Sequence, residues 1–233
     1  DNPIRKQNFV NAIGQAYEEI GFVALKGHFL DDTLVDNLYT EVKNFFCLPT
    51  ETKRQYEIPG IGGQRGYVSF GKESAKGKKE GDLKEFWHFG QYVENNDKLK
   101  VEYPDNVNVN ELSEFNKTGK ETYKMLEKTA KYVLRALALH LGLEETYFDE
   151  YIYNGNSILR PIHYPPITEE PKEAVRAAAH GDINLITLLM GAQGRGLQVK
   201  NHKDQWIDAI AEVDELMINV GDMFSRHTNN KLK

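Results

Sequence analysis

The stretch AAAHGDINLITLLM, residues 177–190, sets an imidazole and a carboxylate two positions apart, at His180 and Asp182, ahead of an aliphatic run. In an extended strand, residues i and i+2 point to one side, with Cα atoms roughly 6.5–7 Å apart. This spacing predicts that both side chains reach one cation, with Gly181 adding no bulk between them. Imidazole nitrogen and carboxylate oxygen together suit a first-row transition metal. A bare His-x-Asp triplet reads first as a surface histidine beside a turn aspartate. Its place at the entrance to a buried-looking strand is what gives it weight.

An imidazole, a carboxylate and a second imidazole make the facial triad of non-haem Fe(II) sites, which leaves one face of the octahedron open for substrate and O2. The remaining histidines have ordinary readings. His28, His140 and His202 fall at a turn, a helix end and the surface. His163 stands beside Tyr164 and points the other way along a strand, which suits packing or solvent rather than a metal. His88, in KEFWHFG, is a candidate for a cavity wall, its neighbours Phe86, Trp87 and Phe89 suiting a core. Tyr67 and Phe70 are candidates for the same wall.

These residues need elements to hold them. Helical spacing predicts a first helix over 5–20, with Phe9, Ile13, Ala16, Tyr17 and Ile20 inward and Gly21 as its stop. The segment FVALKG follows as a strand. DDTLVDNLYTEVKNFFCL is a second amphipathic helix, capped by Asp31 or Asp32, with Cys47 expected in the core. PTETKRQY is a short third helix. Strands are expected near 66–70 and 85–92, separated by an exposed charged loop over 72–84. Residues 111–141 carry one apolar stripe and predict a long helix ended by Gly142.

After about residue 155 the pattern changes to strand upon strand, in SILRPIHY, RAAAH, INLITLLM, GLQVK, QWIDAI and ELMINVGD, with turn-forming residues between. Short strands at this spacing predict a sandwich or barrel, with the long helix packed outside it in one domain. GIGGQRG has Arg65 where a dinucleotide-binding loop needs its third glycine, GAQGRG at 191–196 reads as a hairpin turn, and no G-x-S-x-G occurs.

The 233 residues carry a formal charge of −6, with 40% hydrophobic and 27% charged residues. That balance disfavours nucleic acid as a partner, which needs a basic face. No apolar run approaches the ~18 residues a membrane helix requires. A single cysteine excludes an internal disulfide, so a reducing, cytoplasmic setting is expected, with the oligomeric state unspecified.

Taken together, HYPP, AAHGDINLITLLMGAQGRGLQV, QWIDAIAEVDELMINVGDMF and TNNKLK resemble the Fe(II)- and 2-oxoglutarate-dependent dioxygenase superfamily, in its isopenicillin N synthase-like branch. EEIGFVALKGH, GYVSFG and KEFWHFG extend the likeness over nearly the whole chain. The resemblance implies a mainly β fold with α, a double-stranded β-helix or jelly roll flanked by the N-terminal helices and the long helix. It also implies one domain, helix-rich over 1–150 and jelly roll over 151–233, with its C-terminal end missing. His180 and Asp182 match the family's His-x-Asp metal ligands, and Tyr164 matches the tyrosine that binds a cosubstrate or substrate carboxylate. Ile162 stands where many members have a cosubstrate-binding asparagine.

The second histidine ligand and an Arg-x-Ser for 2-oxoglutarate are expected beyond Lys233. His227 lies a segment too early and reads as a turn or strand-end residue. The implied cofactors are Fe(II), 2-oxoglutarate and O2. The implied reaction is hydroxylation, desaturation or ring closure of a small organic molecule, with succinate and CO2 as co-products. An oxidase of the isopenicillin N synthase type, without 2-oxoglutarate, and a non-catalytic jelly-roll binding protein are the alternatives.

Overall fold

A computed structural model describes residues 2–73, 81–168, 176–191, 196–201 and 203–233. The chain forms two compact units that exchange segments. One comprises Asp1–Phe29, Leu126–Tyr153 and Gly181–Lys233, and the other Leu30–Met125 and Asn154–His180. The long helix α4 (Ser113–His140) contributes to both. Among the described residues no helix is long and apolar enough to cross a membrane.

In the first unit, helix α1 (Pro3–Glu19) starts where Asn2 accepts from the amides of Ile4 and Arg5, with Pro3 in its first turn. Its inward face is Val10, Ile13 and Tyr17, while Phe9, expected inside, is 42% exposed. Gly21, at φ 75°, ends the turn after the helix, and a Cβ there would lie 1.8 Å from the Lys233 carbonyl oxygen.

Strand β1 (Phe22–Leu25) then pairs antiparallel with β9 (Leu216–Val220), which also pairs with β6 (Ile186–Met190), giving a sheet ordered β1-β9-β6. β7 (Gln198–Lys200) and β8 (Trp206–Asp208) form a separate ribbon. Because β6 pairs with β9 and β7 with β8, the expected hairpin at 191–196 does not join paired strands; residues 192–195, like His202, lie outside the described residues. The strand expected over RAAAH is absent, and β6 is half-buried rather than buried. Helices α5 (Asp149–Ile152) and α6 (Asp222–His227) were not anticipated. Phe148 and Phe224 meet edge to face at 5.1 Å, and His227, at the end of α6, packs among Tyr147, Phe148 and Tyr151.

In the second unit, helix α2 (Asp32–Phe46) is capped by Asp31, whose carboxylate accepts from the Leu34 amide. Cys47 caps its other end and is exposed, correcting the core role expected of it: the helix turns Phe45 and Phe46 inward instead. Helix α3 (Thr50–Arg54) follows, then β2 (Gly66–Val68) and β3 (Glu85–Gly90). β3 is the centre of this sheet. It pairs with β2, with β4 (Ile158–Leu159) and with β5 (Ile162–His163), all antiparallel. SILRPIHY is thus two short strands, broken where Pro161 supplies no amide and its carbonyl accepts from Trp87.

Every residue of β3 is buried, and Trp87 packs at 4.9 Å from Phe45 and 5.3 Å from Phe115 of α4. Gly119 leaves room on α4 for the Phe89 ring, which an added Cβ would meet at 2.2 Å. The exposed loop expected over 72–84 fails at its end, since Asp82 and Lys84 are buried. Lys84 pairs with Asp82 at 2.9 Å and with Glu73 at 2.7 Å, and buried charges persist when paired. Residues 74–80 lie outside the described residues.

Candidate active site

His180 and Asp182 lie in an irregular segment ahead of β6, not on a strand, so the strand alternation expected of them does not apply. Asp182 is aimed by tertiary contacts. Its Oδ2 accepts from Thr187 Oγ1 at 2.5 Å and from Asn219 Nδ2 at 2.9 Å, and Thr187 and Asn219 are cross-strand partners of β6 and β9. The Asp182 carbonyl accepts from the Asp222 amide at 2.6 Å, tying the segment to the start of α6. A Cβ at Gly181 would come within 3.1 Å of the Asp222 carboxylate, so glycine eases this approach.

His180 is exposed, and its Nδ1 lies 2.7 Å from the Ala178 carbonyl. A carbonyl only accepts, so Nδ1 carries the proton and Nε2 the lone pair in the neutral ring. Metal-binding histidines are oriented in this way. Among the described residues no three His, Cys, Asp or Glu side chains come together as a metal-binding group. His227 sits in its aromatic cluster, and Tyr164 follows β5, half-buried.

The second unit holds a cavity of about 310 Å³ whose lining includes Glu57, Tyr67, Glu73, Phe86, His88 and Arg160. Two expected wall residues, Tyr67 and His88, are in it, while Phe70 is 49% exposed and outside the lining. His88 Nδ1 donates to the Gly63 carbonyl at 2.5 Å, and its Nε2 accepts from Arg160 Nε at 2.6 Å. Burial, then the Arg160 charge, pushes the His88 pKa down to about 4, so the ring is neutral. The Arg160 guanidinium lies 4.5 Å over the Phe86 ring and bonds Glu73 through Nη1.

Behind this wall the buried Glu85 carboxylate accepts twice from Lys53, at 2.8 and 3.1 Å, and also from Tyr67 and from His163 Nδ1. Burial pulls the Glu85 pKa upward, but the bonds from Lys53, Tyr67 and His163 outweigh it and hold it low. Burial and the bond to Glu85 raise the Tyr67 hydroxyl well above its usual range. His163 also stacks on Phe46 at 5.2 Å while its side chain stays 38% exposed.

Sequence reasoning missed Arg160, Glu57, Glu73, Lys53, Glu85, Thr187 and Asn219. Arg160 carried a legible signal, since it precedes Ile162 and Tyr164 at strand alternation. The others carried none: Thr187 stands five residues from Asp182 with no pattern marking the bond, and the rest have partners distant in sequence.

Residues 2–111 match the family model described as non-haem dioxygenase in morphine synthesis N-terminal, and residues 155–233 match that of the 2OG-Fe(II) oxygenase superfamily. The chain is 30% identical to a 2-oxoglutarate-Fe(II) type oxidoreductase of Aspergillus fumigatus, over 98% of this chain and 70% of that protein. It is 29% identical to the oxidoreductase hxnY of Emericella nidulans, over 98% and 68%. Among solved structures, a protein of Caulobacter crescentus assigned to the 2OG-Fe(II) oxygenase family superposes with a TM-score of 0.88 at 41% identity, covering 97% of this chain and 73% of that one. A Neurospora crassa protein solved in complex with alpha-KG superposes with a TM-score of 0.82 at 28% identity, covering 100% and 71%.

The chain belongs to the 2-oxoglutarate- and Fe(II)-dependent oxygenase superfamily, and its fold is that family's jelly roll with flanking helices. It is a 2-oxoglutarate-dependent dioxygenase of small molecules and requires Fe(II), 2-oxoglutarate and O2.

Proposed function

We propose that His180 and Asp182 are two of the iron ligands, and that a second imidazole from outside the described residues completes the set. The observation that carries this reading is the pair of bonds from Thr187 and Asn219 to one oxygen of Asp182. Two strands fix that carboxylate, so it need not be ordered when a cation arrives. The Ala178 carbonyl does the same for His180 by holding the proton on Nδ1 and directing Nε2 as the donor. These donors fit Fe(II), for which imidazole and carboxylate are suitable ligands. When bound, Fe(II) supplies the oxidising chemistry with O2 while 2-oxoglutarate leaves as succinate and CO2.

Tyr164 is proposed to donate its hydroxyl to a carboxylate of 2-oxoglutarate. Tyr67, Phe70 and His88 are proposed to face the substrate, with His88 and Tyr67 supported by their place in the cavity. We assign the chain to the isopenicillin N synthase-like branch, and read it as one domain because the two units exchange chain repeatedly along the sequence. The setting is proposed as cytoplasmic, and the reaction as hydroxylation, desaturation or ring closure of a small organic molecule, with no nucleic acid or membrane partner.

The test is anaerobic titration of the native-length protein with Fe(II) and then 2-oxoglutarate, followed by the visible charge-transfer band of the chelated keto acid. The band is expected in the wild type and lost in His180→Ala and Asp182→Ala. An undiminished band in both variants removes the ligand assignment.

A further inference from the structure

Strand β5 ends at His163, one residue before Tyr164, and its ladder with β3 cannot run on, because Pro165 and Pro166 follow and neither has an amide to donate. Side-chain contacts hold the strand end instead. Glu85 and His163 are direct cross-strand partners, and His163 Nδ1 lies 2.7 Å from Glu85 Oε1. A carboxylate only accepts, so Nδ1 carries the proton and donates. Phe46 stacks on the same ring, with 28° between the planes. The ring is thus held along one edge and over one face.

The groups that hold it are themselves fixed. Glu85 is buried and also accepts from Lys53 and Tyr67. Lys53, buried too, gives a further bond to the Phe46 carbonyl at 3.1 Å. The cation that anchors the carboxylate therefore also anchors the residue stacked on His163. Contacts from the end of α2 (Phe46), from α3 (Lys53), from β2 (Tyr67) and from β3 (Glu85) converge on this one imidazole. Tyr164 precedes a proline, which keeps its backbone extended, and side chains of an extended chain alternate in direction. Fixing the way His163 faces turns Tyr164 to the opposite side.

We propose that Glu85 and His163 are positioning residues for Tyr164, setting the direction from which its hydroxyl meets the 2-oxoglutarate carboxylate. This rests on the reading that Tyr164 binds that carboxylate. His163 acts through Tyr164 and not on the cosubstrate itself.

Glu85→Gln would leave Lys53 buried without its anion and threatens the fold, so the experiment is made at His163, whose loss leaves Glu85 its bonds from Lys53 and Tyr67. The native-length protein, loaded with Fe(II) and kept free of O2, is titrated with 2-oxoglutarate, and the charge-transfer band gives the dissociation constant. The proteins are the wild type, His163→Ala, His163→Asn, Tyr164→Phe and the double variant His163→Ala with Tyr164→Phe, each checked for folding by circular dichroism. His163→Leu, which keeps bulk against Phe46, takes the place of the alanine variant if that one does not fold. His163→Ala and Tyr164→Phe should each weaken 2-oxoglutarate about tenfold, the worth of one hydrogen bond to a charged group. The double variant should also lose about tenfold and not about a hundredfold, because positioning has no value once the hydroxyl is gone. His163→Asn, whose amide Nδ2 can donate to Glu85 in place of the ring, should recover most of the affinity. Fe(II) affinity should be unchanged throughout.

Undiminished affinity in folded His163→Ala would overturn the proposal. So would losses that multiply in the double variant, or an asparagine variant no better than alanine. Undiminished affinity in Tyr164→Phe would instead remove the reading of Tyr164, and the proposal with it. A loss in Tyr164→Phe with none in His163→Ala would leave that reading standing and sink this inference alone.

Discussion

Acidification from about pH 7 to about pH 5 should weaken the fold by roughly 2 kcal/mol through His88 alone. The ring is 4% exposed, with its Nδ1–H on the Gly63 carbonyl and its Nε2 accepting from Arg160. Protonating Nε2 would set a cation against the guanidinium and remove the acceptor that Arg160 uses. Burial and Arg160 accordingly push the pKa from 6.5 down to about 4. In the unfolded chain the ring titrates normally, so between these values the unfolded state binds the extra proton. His88 therefore contributes stability that is fully present above about pH 6.5 and is lost as pH falls toward about pH 4.

The assay is urea denaturation of the wild type and of His88→Gln at both pH values. The glutamine can still accept from Arg160 and donate to Gly63, but it does not titrate. The other histidines and the carboxylates cancel in the comparison. The wild type should lose roughly 2 kcal/mol more than the variant on acidification. Equal losses in the two proteins would refute the claim that His88 is held neutral by its surroundings.

Two further perturbations probe packing and charge in the second unit. Gly90→Ala would place a Cβ 1.8 Å from Arg65 Cζ, a fully buried side chain, and should cost about 1–3 kcal/mol by urea denaturation. A loss below about 0.5 kcal/mol, the range of an ordinary surface substitution, would contradict the crowding at Gly90. Lys53→Met leaves the Glu85 carboxylate buried without its cation and should destabilise by about 3–5 kcal/mol. A loss below about 1 kcal/mol would show that Tyr67 and His163 suffice to hold that charge.

Local pattern was enough for much of this protein. The apolar spacing over 111–141 anticipated α4, and the residues around 22–25, 66–70 and 85–92 anticipated β1, β2 and β3, because helix and strand periodicities are written in neighbouring residues. The His180–Asp182 pair was singled out the same way, from type and spacing, whereas Tyr164 came only from the family likeness that the quoted segments carry. Tertiary structure decided the rest. β1 pairs with β9 from the far end of the chain, and only that sheet brings Asn219 beside Thr187 to hold Asp182. Helical pattern marked α2 as amphipathic, but the rotation that buries Phe45 and exposes Cys47 depends on Trp87 and Phe115. Lys53 and Glu85 read as ordinary surface charges. Burial is affordable for a charge only when a partner meets it, and these two stand 32 residues apart, joined only when the chain folds.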